Sequence, residues 1–307
     1  MNEPFGPVTF VADPRIADAR SAEAKAEALL DDHRLTYRRT DGDGAGGRGV
    51  GDIVANAVSG GARFLAIVGD DRSFSEAVDA ALTIPDTDAV PTLGMISTDP
   101  ESDLIKTFGL PAEPEKAARH LVGGNHYPLD IGRITCSGPE AGEVTRHFAL
   151  VAMIGSTADM LRREARLPRS LGDRGRRFVA FWSALARAPM AGLHIRADRK
   201  EWEGRGYEVI VGNCNFFRGL RVSPRSYPGD GVLDVLVWNG PRSDQFTLMS
   251  KMVRGEHVPS PHLAELRAKI GVGIESDRPL PVSVDGQVIG TTPAKVVVMP
   301  AAVNLKL

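Results

Sequence analysis

The chain reads as two domains, an α/β first half followed by an all-β antiparallel second half, and three observations predict this. Its 307 residues are about twice the ~150 residues usual for one domain. Up to residue 134, short β-rich runs alternate with helical stretches, the pattern of a parallel sheet with crossover helices. Beyond Ile134 the strands are separated by turns, as in antiparallel sheets. The expected domains are 1–134 and 135–307, with a return of the last segment, about 296–307, to the first domain left open.

Each element has a local reason. Val8 to Ala12 reads as a first strand, Ala17 to Leu30, rich in Ala, Glu and Leu, as a helix, and Leu35 to Arg39 as a second strand. Asp41 to Gly51, DGDGAGGRGVG, is too glycine-rich for either and reads as a loop. Asp52 to Ser59 is then helical and Phe64 to Val68 is a central parallel strand. Ser75 to Leu82 is a helix entered through the turn Gly69 to Ser73. Thr92 to Ile96 is a strand and Pro114 to Leu121 a helix. In the second half Tyr207 to Val211, Val232 to Val237, Val282 to Val284 and Lys295 to Met299 are strands.

Composition excludes several functions. A formal net charge of -2 with 25% charged residues gives no basic surplus for nucleic acid. The start, MNEPFGPVTFVADP, has neither a basic segment nor a long apolar one, and apolar runs such as Phe148 to Ile154 fall far short of the ~20 residues of a membrane span. The expectation is a cytoplasmic protein that touches membrane only at the inner surface. Cys136 and Cys214 lack the spacing of a disulfide framework or zinc site and read as reduced thiols. His257 to His262 has no metal spacing either and reads as loop.

The first place for chemistry is Ala66 to Glu76, AIVGDDRSFSE. A strand feeding a tight turn and a helix aims backbone N–H groups and the positive helix end at a potential phosphate. Gly69 is its single glycine, so by spacing alone the stretch reads first as an ordinary βα turn capped by Ser73 and only second as a phosphate site.

The same stretch resembles the GGDGT signature of diacylglycerol kinase-type lipid kinases. Gly69, Asp70, Asp71, Arg72 and Ser73 stand at its five positions, with Glu76 at the family's following glutamate. Asp71, the Ser73 hydroxyl and Glu76 match, whereas Asp70 and Arg72 replace glycines. The resemblance continues in order. Leu93 to Pro111 is similar to the segment carrying GTGND, with Ser102 for its asparagine, Asp103 for its aspartate and Asp99 to Glu101 at the GTG positions. Leu129 to Ile134 is similar to IDLGRV, Gly229 to Val235 to DDGxLDV, and Val284 to Gln287 to the DGE motif.

The resemblance implies a Rossmann-like first domain, a β-sandwich second domain and a distant likeness to NAD kinases. It further implies ATP and Mg²⁺ as cofactors and a lipid hydroxyl such as that of diacylglycerol as phosphoryl acceptor. Residue by residue, it implies Asp13, Gly69, Asp70, Asp71, Arg72, Ser73, Glu76 and Ser102 at the nucleotide, and Asp103 and Asp130 in an acidic network. Asp285 would be the general base, and Asp230 with the carbonyl of Val232 a cation site. Without the resemblance, Asp285-Gly286 is a hairpin turn, the 230–232 stretch only a turn, and Asp103 and Asp130 caps or salt-bridge partners.

Three nucleotide loops are altered together, since Asp13 to Ala17, DPRIA, replaces the family's NPxSG. A carboxylate about 5 Å from a phosphate charge, at an effective dielectric of ~20, repels it by roughly 3 kcal/mol, on the order of 100-fold in affinity. Asp70, Asp99 and Glu101 cannot all face bare ATP. Arg72 could clamp the phosphates or pair with Asp70 or Asp71 at the surface. Arg162, Arg163, Arg166, Arg169, Arg174, Arg176, Arg177 and Arg187, with Phe178, Phe181 and Trp182 among them, suit an anionic membrane, or form a solvated face with the aromatics inward. The expectations are therefore an ATP-dependent lipid kinase or, alternatively, a degenerate one that binds lipid, nucleotide or a protein partner. A homodimer is left open.

Overall fold

The computed structural model describes residues 7–40, 49–84, 90–140, 142–187 and 190–307. The chain divides into two compact units, one running to Ile131 and including Pro300–Leu307, the other Gly132–Met299.

The first unit contains β1 (Val8–Ala12), α1 (Ala19–Asp32), β2 (Tyr37–Arg39), α2 (Val50–Ser59), β3 (Phe64–Gly69), α3 (Asp71–Thr83) and β4 (Thr92–Ser97). Three short helices follow, α4 (Asp103–Phe108), α5 (Pro114–Ala117) and α6 (Arg119–Val122). The chain leaves this unit within β5 (His126–Ser137). The pairings among β1 to β4 are parallel: β2 on β1, β1 on β3 and β3 on β4. Every residue of β3 is buried, as expected of a central strand covered on both faces. Ala19, Ala22, Ala26 and Leu30 recur at helical spacing on α1 and are buried against Phe10, Ala66 and Val68.

The second unit contains β6 (Glu143–Phe148), β7 (Val151–Gly155), α7 (Ser156–Arg166), α8 (Gly172–Arg187), β8 (Ala191–Ala197), β9 (Lys200–Gly206) and β10 (Glu208–Gly212). It continues through β11 (Phe216–Phe217), β12 (Leu220–Arg221), β13 (Leu233–Trp238), α9 (Gln245–Arg254), β14 (Leu263–Ala268), β15 (Gly271–Ser276) and β16 (Pro281–Val284). The chain passes back within β17 (Gln287–Lys306), whose Asn304 and Leu305 pair in parallel with Thr92 and Leu93 of β4. The strand pairs inside this unit are antiparallel, including β7 with β10, β10 with β13, and β16 with β7. One face of these strands, from Ala152, Ile154, Val209, Val211, Val235 and Val237, forms a core with Val282 and Val284.

Several boundaries differ from expectation. The loop expected at 41–51 falls mostly on 41–48, outside the described residues, and Val50 and Gly51 already belong to α2. The turn expected over 69–73 ends at Asp70, because Asp70 caps the helix and brings Asp71 to Ser73 into its first turn. Pro114 to Leu121 breaks at Ala118 into α5 and α6, with Ala118 and Leu121 both in the core of the unit. Asp103–Phe108, where only a motif was read, is a helix entered through the Ser102 cap.

Candidate functional site

In the first unit, the ends of β1 and β3 meet the start of α3. Asp13 follows β1, is buried, and takes four hydrogen bonds. These come from the Ser73 hydroxyl at 2.7 Å and from the Arg15 backbone N, Nε and NH2 at 2.9, 2.9 and 2.6 Å. Burial alone would raise its pKa, but the bonds from Arg15 and Ser73 outweigh it and the net shift is downward. The same Arg15 guanidinium reaches both oxygens of Glu76, at 2.9 and 2.8 Å, and its bonds to Asp13 and Glu76 hold it firmly charged. Arg72 donates Nε to Glu76 at 2.9 Å. Its partner is therefore neither Asp70 nor Asp71, because side chains four apart on a helix lie one above the other.

Asp70 is the N-cap of α3, so the cap expected from Ser73 is reversed: Ser73 occupies the third helical position and donates its N–H to Asp70 Oδ1 at 2.9 Å. A carboxylate thus sits on the N–H group that a phosphate oxygen would take at such a helix start. Gly69 is required by close approach, since a Cβ there would lie 2.3 Å from the Ser73 hydroxyl. Asp71 points the other way and caps α4, accepting from the Ser102 hydroxyl, from Asp103 N at 2.7 Å and from Leu104 N at 3.3 Å. Burial raises its pKa and these bonds only partly oppose the shift. Asp99 accepts the Glu101 N–H at 2.8 Å, and Glu101 pairs with Lys106. Asp103 is buried at the start of α4, and Asp130, also buried, accepts the Ala301 N–H at 2.8 Å.

Around α3, Asp13, Asp70, Asp71 and Glu76 oppose Arg15 and Arg72, two more negative charges than positive. The structure brings Asp13, Gly69, Asp70, Ser73, Arg72 and Glu76 into one network and joins Asp71 to Ser102 and Asp103. Arg15 was not singled out by its sequence position.

In the second unit, Asp285 turns between β16 and β17 at φ +43°. Its carboxylate accepts three buried N–H groups, Ala149 at 3.0 Å on Oδ2, and Leu150 at 3.0 Å and Val151 at 2.9 Å on Oδ1. A carboxylate offers about four lone-pair sites, and three are taken here by the backbone. At the expected cation site, Asp230 accepts the Val232 N–H at 3.0 Å and Arg267 NH2 at 3.0 Å, while Arg267 Nε reaches Asp234 at 2.9 Å. One guanidinium thus meets the two carboxylates Asp230 and Asp234, an ion pair at the turn where the resemblance implied a cation. Among the described residues, no three His, Cys, Asp or Glu side chains gather in a way that could hold a metal ion.

A cavity of about 280 Å³ also lies within this unit, between the sheet and helices α7, α8 and α9. Met153, Met160, Phe181, Ile210, Met249 and Met252 give it an apolar wall, with Arg177 and Arg218 among its polar lining. Both arginines reach Glu164, at 3.8 and 2.6 Å. Ser156, Thr157, Glu208 and Trp238 complete the polar lining. Burial raises the Glu208 pKa to about 7 against the bonds from Ser156 and Thr157. Sequence reading passed over Glu208; its signal was a charged residue opening the apolar strand EVIVG.

The arginine-rich segment forms α7 and α8. Arg162 and Arg163 pair with Asp159, while Arg166, Arg169, Arg174 and Arg187 make no ion pair among the described residues. The aromatics do not all turn inward: Phe181 lines the cavity, but Phe178 is 64% and Trp182 42% exposed. No helix of the described residues is long and apolar enough to cross a membrane.

Comparison with known proteins bears out the resemblance read from the motifs. Residues 169–307 match the YegS C-terminal NAD kinase beta sandwich-like domain. A probable lipid kinase YegS-like of Stenotrophomonas maltophilia is 23% identical over 261 residues, 83% of this chain and 82% of that protein. Its namesake in Xanthomonas axonopodis pv. citri is 25% identical over 279 residues, 89% and 87% of the two chains. Among solved structures, a diacylglycerol kinase from Bacillus anthracis str. Sterne superposes with a TM-score of 0.69 at 16% identity, covering 99% of this chain and 97% of that one. The fold expected from the sequence, with a β-sandwich second domain, is therefore the observed one.

Proposed function

We propose, for a chain with the two-domain fold of the diacylglycerol kinase-like proteins and a YegS-type C-terminal domain, that it binds a lipid without transferring phosphate from ATP at a useful rate. One observation carries this reading. The start of α3 is closed by the protein's own carboxylates, Asp70 on the Ser73 N–H and Asp13 on the Ser73 hydroxyl. ATP would have to displace both and enter a cluster that is already negative, at roughly 3 kcal/mol for each nearby carboxylate at about 5 Å.

The lipid half of the reading is supported by the second-unit cavity. Its volume is close to the low end of ligand pockets, about 300–1,000 Å³, which suits one acyl chain. The surplus arginines and exposed aromatics of α8 suit approach to an anionic membrane surface, each basic residue adding about 1 kcal/mol there.

The second reading, an ATP-dependent kinase of a diacylglycerol-like lipid with Mg²⁺, is favoured by Asp71, Asp103 and Asp285, which stand at the family's motif positions. The two readings separate in one set of measurements. Calorimetric titration with Mg²⁺ and ATP is expected to show no binding to the wild type and weak binding to Asp70→Gly. Vesicles containing diacylglycerol and phosphatidylglycerol are expected to bind but receive no radiolabelled phosphate. Tight ATP binding by the wild type, with transfer to the vesicles, would establish the kinase instead.

A further inference from the structure

Helix α9 walls the cavity of the second unit through Met249 and Met252, and Leu220 of β12 with Val222 just beyond it walls the cavity from another side. The helix is lightly held, since among its described side chains Leu248 alone is buried. Its two ends are fixed by histidines with opposite needs. Past the C-terminal end, His257 is 1% exposed and its Nε2 lies 3.1 Å from the Val222 carbonyl. A carbonyl only accepts, so this bond assigns the proton of the neutral ring to Nε2 and leaves Nδ1 bare. Nδ1 is buried and has no hydrogen-bond partner among the described residues. At the N-terminal end, His262 Nε2 lies 3.0 Å from the carboxylate of Asp244, a pair that is ionic only when the imidazole carries its second proton.

We infer that His257 is an acid-released latch on the cavity wall: neutral, it ties the end of α9 to the chain at Val222, and protonated, it frees that end while Asp244 and His262 hold the other as a hinge. A second proton on the His257 ring makes a charged Nδ1–H with no acceptor in a place closed to water. Burying such a group costs more than the one bond to Val222 returns. Burial accordingly holds the His257 pKa below its ordinary value, with the bond to Val222 and the charge of Glu265 only partly opposing. The charged groups around it are already engaged. Glu265 on β14 pairs with Arg225 at 2.7 Å, Glu256 pairs with Arg254 at 2.8 Å, and Arg221 of β12 lies over the Phe216 ring. The folded unit therefore prefers the neutral ring, so the latch is closed above about pH 6.5 and loosens as pH falls below it. Its consequence for a ligand, release of a bound chain on acidification, rests on the lipid-binding reading.

The test is hydrogen–deuterium exchange of the full chain at about pH 7.5 and about pH 5.5, each amide corrected for its intrinsic rate. Protection over residues 249–256 is expected to fall about tenfold at the lower pH, the order expected for one buried polar group left unmet, while β10 and β13 keep theirs. His257→Gln keeps an N–H for Val222 and carries no charge, so its α9 should be equally protected at both pH values. His262→Gln removes the ion pair at the hinge and should deepen the fall; an unchanged fall would overturn the hinge. Octan-1-ol, a probe that does not titrate, is expected to bind about tenfold more weakly at the lower pH by calorimetry. His257→Gln should lose that weakening, which separates it from the titration of Glu208. Equal α9 protection at the two pH values, or the same fall in His257→Gln, overturns the latch. So does a fall shared by β10 and β13, which is a loosening of the whole unit, and this wild-type comparison decides even if His257→Gln does not fold. Octan-1-ol that binds at neither pH would overturn the lipid-binding reading, and exchange at α9 would still decide the latch.

Discussion

The start of α3 and the cavity beside β10 are both built from buried polar groups, yet they end in opposite states. At α3 the Ser73 N–H is taken by Asp70 and its hydroxyl by Asp13, and the Arg15 guanidinium is bonded to both Asp13 and Glu76. Among the residues lining the cavity, Glu208 Oε1 and Trp238 Nε1 are left over. A helix start that has completed its own hydrogen bonds gains nothing from a phosphate, because any new bond replaces one already made. Unmade bonds leave the desolvation of their groups uncompensated. On the proposed reading, the positions that resemble the nucleotide motif serve as a structural device, while the unmade hydrogen bonds lie where no motif pointed.

The largest test of that contrast concerns Asp285, a further group already engaged by three N–H groups. Asp285→Ala leaves three buried N–H groups unmet at about 1–3 kcal/mol each, so unfolding free energy is expected to drop by several kcal/mol in a denaturant titration. A variant as stable as the wild type would mean that the carboxylate is spare, and its role as a base would return. Next is Glu208, where burial lifts the carboxyl pKa from 4.5 to about 7. The folded state then holds this proton more tightly than the unfolded chain. Its contribution is fully present below about pH 4.5 and is lost as pH rises to about 7, by roughly 3 kcal/mol at ~1.36 kcal/mol per unit. Glu208→Gln keeps an oxygen for Thr157 and should flatten that part of the stability-versus-pH curve; an unchanged slope would show that the burial penalty is met elsewhere.

Asp70→Ala removes the cap of α3 and is expected to cost about 1 kcal/mol in thermal or chemical unfolding, while freeing the Ser73 N–H for an anion. If its stability falls but no phosphate or ATP binding appears, the helix start is closed by more than its cap. The smallest effect is expected of Arg72→Ala, which breaks an exposed pair four residues apart on α3, worth about 0.3–0.5 kcal/mol. A loss several times larger would mean that Arg72 holds Glu76 in place for Arg15, making the network at α3 cooperative rather than pairwise.

Much of the fold was legible because it rests on local pattern. The apolar run at Phe64 to Val68, the helical spacing of Ala19, Ala22, Ala26 and Leu30, and the turn-separated strands after Ile134 each report a period or a punctuation that neighbouring residues define by themselves. The motif positions were legible for the same reason, since order along the chain fixes which residue follows which strand. Partners were not. That Arg15 reaches Glu76 across 61 residues while holding Asp13, that Arg267 pairs with Asp230, and that Asp285 closes on Ala149 to Val151 depend on which strand ends lie side by side. Glu208 shows the division most plainly. Sequence alone determined that a carboxylate opens a buried strand, but pairing β10 with β13 and covering that face with α7 and α8 decided that it faces Trp238 inside a cavity. A hydrogen bond is satisfied or left open only by what the folded chain brings within about 3 Å of it.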